Sequence, residues 1–388
     1  MKVTETEYQL KKYVKPKKQE RNNKMKKFFR WSVCLMATTL LTTSCLDSGN
    51  NGEDIIIEPT LVTDGLFILN EGSYYSKIDG SLDYLEFNSD KVKEGVFKTA
   101  NSRSLGGTPN DALVTLQSIY IATTDENRIE VADKSTLVAS SPINMPSPRE
   151  ITGYGDYIYV TSYDGRVRKI YLESNTVVAT SEKIGDNLEG IAYLNGYLYV
   201  CNSCKPGETY TYYTEVVKLD ASTLNRVGTI TVHENPTSIV TDDKDLYVCC
   251  QGNYDDKAAL VQKISGATNE VSNIVPGNMI SITANTLYII NAPWGATPTY
   301  TAYNTSNGNR STFIAGTEIF APCAIQANPL TGDVYITSYS KGDYGYANYE
   351  GKGYMVKYSS SGQFLKQYEV GVGPATMKFN YHVEYPAY

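Results

Sequence analysis

The sequence Ile158-Tyr159-Val160 is followed forty residues later by Leu198-Tyr199-Val200, and the two tripeptides belong to an internal repeat. An aromatic residue between two aliphatic ones occurs seven times in this way. The aromatic positions are Phe67, Tyr120, Tyr159, Tyr199, Tyr247, Tyr288 and Tyr335, at intervals of 39 to 53 residues. A unit of four short strands needs a period of about 40–50 residues. The spacing therefore predicts seven four-stranded units.

Each aromatic strand is preceded by another short apolar segment, which often starts with proline. Proline can open a strand because its missing N–H need not pair there. The seven starts are Pro109, Pro148, Leu188, Pro236, Met279, Pro322 and Pro374. Two further strands follow the aromatic one, as in residues 215–220 and 228–232, which are separated by the turn Ala221-Ser222-Thr223. Each unit is thus predicted to be an antiparallel meander.

The two ends of the repeat region complete each other. The region starts on an aromatic strand at Gly65-Leu66-Phe67-Ile68 without a preceding strand, and it ends on a Pro374 strand without three followers. Joined, they form one unit and close a ring, which removes exposed sheet edges. We therefore predict an all-β fold, a seven-bladed β-propeller over residues 61–388 whose N- and C-terminal strands share one blade. An open solenoid gives no reason for this complementarity.

The N-terminal segment has the layout of an export signal. A basic head at Lys26-Lys27 precedes a short apolar run, small residues and Cys45. Leu41-Thr42-Thr43-Ser44-Cys45 resembles a bacterial lipobox, which implies a signal peptide over residues 1–44 and lipidation of Cys45; a simple cleaved signal is the alternative. Translation from Met1 or from Met25 fits equally. Residues 45–60 are then a flexible tether, which is polar and Gly/Asn-rich as far as Asp54.

Charge is distributed unevenly along the chain. Residues 1–44 hold 11 Lys or Arg and 3 Asp or Glu, so the remainder holds 24 basic and 39 acidic residues. A body this acidic argues against a nucleic-acid partner, because phosphate binding needs a basic face.

The predicted loops place aromatic side chains on one face of the ring. The loop after each aromatic strand and the loop returning to the next blade emerge on the same face, and several of the former are rich in tyrosine, in a chain with 33 Tyr, 9 Phe and 2 Trp. Rings in solvated loops suit a platform for a large amphipathic ligand; folding onto the blade rims is the alternative. The predicted ligand-binding residues are Tyr74, Tyr75, Arg149, Tyr163, Tyr210, Tyr212, Tyr254, Trp294, Tyr300, Tyr339, Tyr344 and Tyr346.

Residue types on this face exclude several chemistries. The predicted mature chain has only His233 and His382, which are far apart in the sequence, so neither a histidine triad nor a histidine metal site is expected. We expect no metal site and no catalytic residues. Cys204 and Cys250 are predicted in neighbouring loops, where an exported protein could join them as a disulfide.

One cation near the predicted channel mouth has two interpretations. Arg149 starts an inner strand, where its guanidinium could anchor an anionic or amide group of a ligand. Pairing with Glu150 or Glu189 is the equally weighted alternative.

The Leu-Tyr-Val strands, the start Phe67-Ile68-Leu69-Asn70-Glu71-Gly72 and the lipobox resemble the YncE-like propeller lipoproteins of Bacteroidetes, in particular the BtuG surface lipoproteins. The resemblance implies a non-enzymatic protein without a cofactor. It would be lipid-anchored in the outer membrane, exposed at the cell surface, and would capture cobalamin and other corrinoids for a TonB-dependent transporter of the BtuB type. Two alternatives stay open. One is a glycan- or protein-binding propeller, and the other is a propeller hydrolase or lactonase that uses Glu71.

Overall fold

The computed structural model describes residues 60–207, 209–315 and 319–385. The predicted signal peptide, lipidation site and almost all of the tether lie outside the described residues. Within them, twenty-eight strands form seven four-stranded antiparallel sheets, and the prediction of seven blades is confirmed.

Strand bounds follow the predicted meander in every blade. Blade 1 contains β28 (Pro374–Glu384), β1 (Thr60–Asn70), β2 (Ser81–Glu86) and β3 (Lys91–Lys93); blade 2 contains β4 (Pro109–Val114), β5 (Ser118–Thr123), β6 (Arg128–Asp133) and β7 (Ile143–Asn144); blade 3 contains β8 (Pro148–Tyr154), β9 (Tyr157–Ser162), β10 (Val167–Tyr171) and β11 (Thr176–Thr180); blade 4 contains β12 (Asn187–Leu194), β13 (Tyr197–Lys205), β14 (Thr211–Asp220) and β15 (Arg226–Thr231). Blade 5 contains β16 (Pro236–Thr241), β17 (Leu246–Cys250), β18 (Leu260–Ile264) and β19 (Val271–Val275); blade 6 contains β20 (Met279–Thr283), β21 (Thr286–Asn291), β22 (Thr299–Asn304) and β23 (Arg310–Thr312); blade 7 contains β24 (Ala321–Ala327), β25 (Val334–Tyr339), β26 (Gly353–Tyr358) and β27 (Phe364–Val370). One short helix, α1 (Val96–Asn101), lies in the connection from blade 1 to blade 2.

Blade 1 is built from both ends of the described chain. Strands β28 and β1 pair antiparallel from Thr60 opposite Glu384 to Asn70 opposite Pro374. The pairing of β1 with β28 starts at Thr60, whereas the pairing of β1 with β2 starts only at Gly65. The predicted closure of the ring by the terminal strands is therefore confirmed.

The hydrophobic core lies between adjacent blades. Alternate side chains of each strand point to opposite faces of its sheet, so each sheet packs against both of its neighbours. One cluster, for example, joins Val216 and Ile230 of blade 4 with Ile239 and Val248 of blade 5. Full burial of such aliphatic side chains stabilises the fold by about 1.5–3 kcal/mol each. The repeated apolar strands are thus what holds the blades together.

The innermost strands line a central channel. Each contacts the inner strand of the next blade, in the order β4, β8, β12, β16, β20, β24, β28 and back to β4. The approach is close at Gly190 of β12, where an added Cβ would lie 2.8 Å from the Cα of Ser238 on β16. The first residues of the seven inner strands therefore lie close to one another around the channel axis.

The ring has two unlike faces. Turns between first and second strands are tight, as at residues 155–156 and 195–196, and they form one face. Loops between second and third strands emerge on the other face, together with the connections between blades; we call this the loop face. Strand β1 runs from Thr60 at the turn face to Asn70 at the loop face. Among the described residues, no helix is long and apolar enough to cross a membrane.

Candidate functional site

Exposed aromatic side chains are concentrated in the loops after the second strands. The set, which we call the aromatic arc, consists of Tyr74, Tyr75, Tyr210, Tyr254, Trp294, Tyr344, Tyr346 and Tyr349. Outside these loops, only Phe364 and Tyr385 are comparably exposed aromatic residues in the described chain. Sequence reasoning omitted Tyr349 from its selection, although it lies in the same tyrosine-rich loop as Tyr344 and Tyr346. One face of the propeller thus presents most of its exposed rings.

The arc covers five consecutive blades and leaves a gap. Its loops belong to blades 4, 5, 6, 7 and 1. The corresponding loops of blades 2 and 3, residues 124–127 and 163–166, have four residues each. Tyr163 is their one aromatic residue, and it is half-buried. The loop face is therefore asymmetric although the scaffold repeats seven times.

Tyrosines from neighbouring loops contact one another within the arc. Tyr210 and Tyr212 stack with ring centroids 6.3 Å apart, and Tyr212 meets the edge of Tyr254 at 5.8 Å. On blade 7, Tyr339 and Tyr349 pack edge to face at 4.8 Å. Each group presents a ledge with apolar faces and hydroxyl groups.

The loops of blades 7 and 1 are joined by a hydrogen bond. Ser76 Oγ donates to Glu350 Oε1 at 2.6 Å. This bond links the loop that carries Tyr74 and Tyr75 to the loop that carries Tyr344 and Tyr346. The two most exposed parts of the arc are therefore held next to each other.

Beneath the arc, six charged side chains and two tyrosines lie at the channel mouth. We call this set the charged floor: Glu71, Asp111, Arg149, Glu150, Tyr163, Glu189, Tyr339 and Lys378. They come from blades 1, 2, 3, 4 and 7. At the starts of the inner strands of blades 5 and 7, the matching positions carry Thr237, Ser238, Cys323 and Ala324. All the carboxylates of the floor therefore lie on the side of blades 1 to 4.

Arg149 is paired within the floor. Its Nε donates to Glu189 Oε2 at 3.0 Å and its Nη2 to Oε1 at 3.3 Å, while the guanidinium lies 4.5 Å from the ring centroid of Tyr163. The Tyr163 hydroxyl donates to Glu189 Oε1 at 2.5 Å. Burial opposes the charge of Arg149, but Glu189, Tyr163 and Glu150 together outweigh burial and raise the pKa of Arg149. The sequence left two interpretations of Arg149 open, and the structure shows Arg149 paired with Glu189.

A second ion pair joins the adjacent inner strands of blades 1 and 2. Lys378 Nζ lies 2.9 Å from Asp111 Oδ1, and Asp111 Oδ2 accepts the backbone N–H of Ile151 at 2.9 Å. The Glu150 carboxyl faces the same layer. Burial and the Asp111 charge raise the pKa of Glu150 to about 8.

Glu71 lies at the edge of the floor, just after β1. Its Oε1 accepts the Tyr339 hydroxyl at 3.2 Å. Burial raises the pKa of Glu71, and the bond from Tyr339 and the charge of Arg149 only partly offset this. Glu71 therefore holds a proton more readily than an ordinary carboxylate.

The lower channel is apolar. Below the charged layer lies a cavity of about 310 Å³, lined by residues such as Ile151, Ile191, Ile239 and Ile282. Lys378 of the floor also lines this cavity, and the floor gives the loop face a polar centre.

Three of the tyrosines predicted to lie in loops belong to strands, and one of them, Tyr339, is the last residue of β25. Tyr300 belongs to β22, where it pairs with Ile290, and only 6% of it is exposed because it packs in the core between blades 6 and 7. Tyr212 belongs to β14 and pairs with Cys204, but its ring remains part of the ledge with Tyr210 and Tyr254. The prediction for Tyr300 is corrected accordingly: its side chain is not on the loop face.

The predicted Cys204–Cys250 disulfide is not formed. All five described cysteines, Cys201, Cys204, Cys249, Cys250 and Cys323, are free thiols. Cys204 and Cys250 lie within β13 and β17 rather than in loops, and Cys250 packs in the same core cluster as Cys201. Burial raises the pKa of Cys250 to about 12. The thiols on these strands are core side chains.

The described residues contain no cluster of three or more His, Cys, Asp or Glu side chains that could hold a metal ion. Fold and site together define the class of the protein. It is a seven-bladed β-propeller whose loop face carries an aromatic arc over a charged floor.

A family match places the chain more narrowly. The model described as "Domain of unknown function (DUF5074)" matches residues 64–387. Since this range covers most of the chain, the protein belongs to that family. No curated protein matches the sequence.

Solved structures share the fold at low sequence identity. A quinonprotein alcohol dehydrogenase-like protein from Bacteroides thetaiotaomicron has a TM-score of 0.59 and 16% identity, over 82% of this chain and 78% of that one. A candidate 6-phosphogluconolactonase from Bacteroides uniformis has a TM-score of 0.58 and 12% identity, over 82% and 100%. Hydrazine synthase from Kuenenia stuttgartiensis has 0.55 and 13%, over 72% and 96%. At these identities the likeness shows the fold alone.

Proposed function

We propose that the protein captures a corrinoid, such as cobalamin, on its loop face. The observation that carries the proposal is the aromatic arc, which is spread over five blades around a polar centre. A corrinoid is a broad disc with apolar surfaces and an amide fringe, so exposed rings could stack on it while hydroxyl and carboxyl groups bind its edge. The likeness of the sequence to the BtuG lipoproteins selects this ligand among amphipathic discs.

The geometry also suits rapid and tight binding. The floor is fixed by internal ion pairs, and the loops of blades 7 and 1 are tied by the bond from Ser76 to Glu350. A preformed site loses little conformational entropy when the ligand binds. The proposed role is binding without catalysis or cofactor, and turnover of a lactone by the purified protein would contradict it.

The proposed location is the outer membrane, with the propeller exposed at the cell surface. Strand β1 begins at Thr60 on the turn face. A lipid tether over residues 45–60 would therefore join the ring on the side opposite the aromatic arc and leave the loop face free. The proposed recipient of the ligand is a TonB-dependent transporter in the same membrane. Replacing Cys45 with Ser should abolish labelling of the protein by a radioactive fatty acid.

Titration of the purified propeller with cobalamin and cobinamide tests the proposal. We expect heat of binding in calorimetry and a shift of the corrinoid visible spectrum. If neither ligand gives heat or a spectral change, corrinoid capture is refuted.

A surface glycan is the second candidate ligand. The ledge of Tyr210, Tyr212 and Tyr254 carries adjacent rings with hydroxyl groups, which is a surface on which sugar rings can stack. A panel of oligosaccharides in the same calorimetric assay distinguishes the two candidates. Binding of a glycan without binding of either corrinoid would favour this second function.

A further inference from the structure

The charged floor holds more acidic groups than basic ones. Among the described residues of the floor, four side chains carry carboxyl groups and two are basic. They are Glu71, Asp111, Glu150 and Glu189, with Arg149 and Lys378. The two basic groups cannot satisfy all four carboxyl groups, so hydrogen-bonding capacity is left over at the channel mouth.

Two of the carboxyl groups each have two or more hydrogen-bond or ion-pair contacts. Glu189 accepts two bonds from Arg149 and one from Tyr163. Asp111 accepts from Lys378 and from the backbone of Ile151. These groups form the fixed frame of the floor.

Glu71 and Glu150 have hydrogen-bonding capacity that the described residues do not use. The Glu71 carboxyl receives a single hydrogen bond from the described residues, the long one from Tyr339. The Glu150 side chain is enclosed by charged neighbours from blades 1, 2 and 4, and no described residue donates a hydrogen bond to its carboxyl group. Both side chains are half-buried at the channel mouth, so a ligand or water can supply the missing hydrogen-bond partners.

The environment favours the protonated form of both groups. Burial raises the pKa of Glu71, and burial together with the Asp111 charge raises the pKa of Glu150 to about 8, so both hold a proton more readily than ordinary carboxyl groups. A protonated carboxyl presents one O–H donor and one C=O acceptor side by side. A primary amide presents the complementary pair, an acceptor C=O and a donor N–H, without bringing a charge into the mouth.

We propose that the charged floor is a subsite for a primary amide group of the ligand, which pairs with Glu71. This inference rests on the proposed function, because a corrinoid carries such amides on its rim. It goes further in naming the chemical group that is recognised and the residue that recognises it. The aromatic arc then contacts the apolar surface of the ligand, while the floor fixes its rotation.

The test compares parent corrinoid with monocarboxylate derivatives, in each of which one rim amide is hydrolysed to an acid. Wild-type protein should bind at least one of these isomers about tenfold more weakly than the parent, since the acid lacks the amide N–H donor and adds a negative charge to a mouth that already holds four carboxyl groups. Glu71→Gln should bind the parent within a few-fold of wild type and recover most of the loss for that same isomer, because the glutamine amide donates to a carboxylate. Glu150→Gln provides an independent second variant.

Asp255→Asn is the matched control, because Asp255 is an exposed carboxylate on the loop face outside the floor. It should leave every affinity unchanged. The inference is overturned if wild type binds all isomers as tightly as the parent, or if Glu71→Gln and Asp255→Asn behave alike. It is also overturned if a derivative bearing an ammonium group binds more tightly than the parent amide. Absence of any binding of parent corrinoid to wild type would instead refute the proposed function itself, and the inference with it.

Discussion

Removal of three rings from the aromatic arc should weaken ligand binding while leaving the fold intact. The side chains are Trp294, Tyr344 and Tyr346, which are 84%, 92% and 66% exposed. Side chains that stand in solvent contribute little to folding, so each change to Ala should alter the free energy of unfolding by less than about 0.5 kcal/mol. Stability and binding are therefore separable at these positions.

The loss of affinity can be worked out from area. A large aromatic side chain buries about 150–250 Å² when fully covered, so a ligand that covers half of one removes about 100 Å² from water. At about 25 cal/mol per Å² this is worth about 2.5 kcal/mol. Immobilising the side chain costs about 0.5–1.5 kcal/mol of that gain. A net 1–2 kcal/mol corresponds to an increase in Kd of roughly 5- to 30-fold for each ring in contact.

The assay combines calorimetric titration with guanidinium unfolding of each variant. Phe364→Ala is the control, because Phe364 is an aromatic residue that is 48% exposed on the outer strand β27, away from the loop face. The three arc variants should raise Kd without shifting the unfolding midpoint, and the control should leave Kd unchanged. Unchanged affinity in all three arc variants would refute the assignment of these loops to the ligand.

Three further predictions concern the scaffold. Glu130→Ala should lower the free energy of unfolding by about 2–4 kcal/mol, because the buried carboxylate receives hydrogen bonds from Arg103 and Arg128; a change below about 1 kcal/mol in denaturant titration would contradict this. Cys249 should resist iodoacetamide in the folded protein and react after unfolding, as read by mass spectrometry, because burial raises its pKa and covers the thiol. Hydrogen bonds from Ser222 and Thr223 lower the pKa of Asp220 from its ordinary 3.8 to about 2. The stability that the Asp220 carboxylate provides is therefore present above about pH 4 and lost as the pH falls toward 2. Asp220→Asn should therefore make the free energy of unfolding depend less on pH below about pH 4. An unchanged midpoint of acid unfolding would show that the hydrogen bonds to Asp220 do not provide this stability.

The blades could be predicted from the sequence because their cause is local and repeated. Tyr199 and its counterparts sit between aliphatic residues in every blade, and this pattern marks a strand buried against both neighbouring sheets. The ring closure followed from the mismatch between the strand at Phe67 and the strand at Pro374. Both predictions need only the order of the strands along the chain, which can be read directly from the sequence.

Strand lengths at the loop face could not be predicted in the same way. Strand β13 continues to Lys205, so Cys204 is a strand residue, and β22 includes Tyr300. How far a ladder extends depends on whether the partner strand stays in register. In blade 4 the register shifts between Asn202 and Cys204, and the pairing continues beyond the shift. Such an irregularity leaves no clear mark in the sequence.

The partner of Arg149 was also beyond local reasoning. Glu189 lies forty residues away on the next blade, and Tyr163 lies in the intervening loop. Only the ring geometry brings the three side chains to one place. The sequence could name the residues at the strand starts, but it could not decide between pairing and ligand contact.

The two halves of the site break the sevenfold repeat in different sectors. Aromatic loops occur on blades 4 to 7 and 1, whereas the carboxylates of the floor occur on blades 1 to 4. A ring of identical loops would accept a disc-shaped ligand in seven equivalent rotations. We expect the offset between the arc and the carboxylates of the floor to make those rotations unequal, because the rim of the ligand then meets different side chains in different sectors. We therefore expect binding specificity in this scaffold to come from the loops and strand starts in which the blades differ, while the repeated buried strands keep those differences in fixed positions.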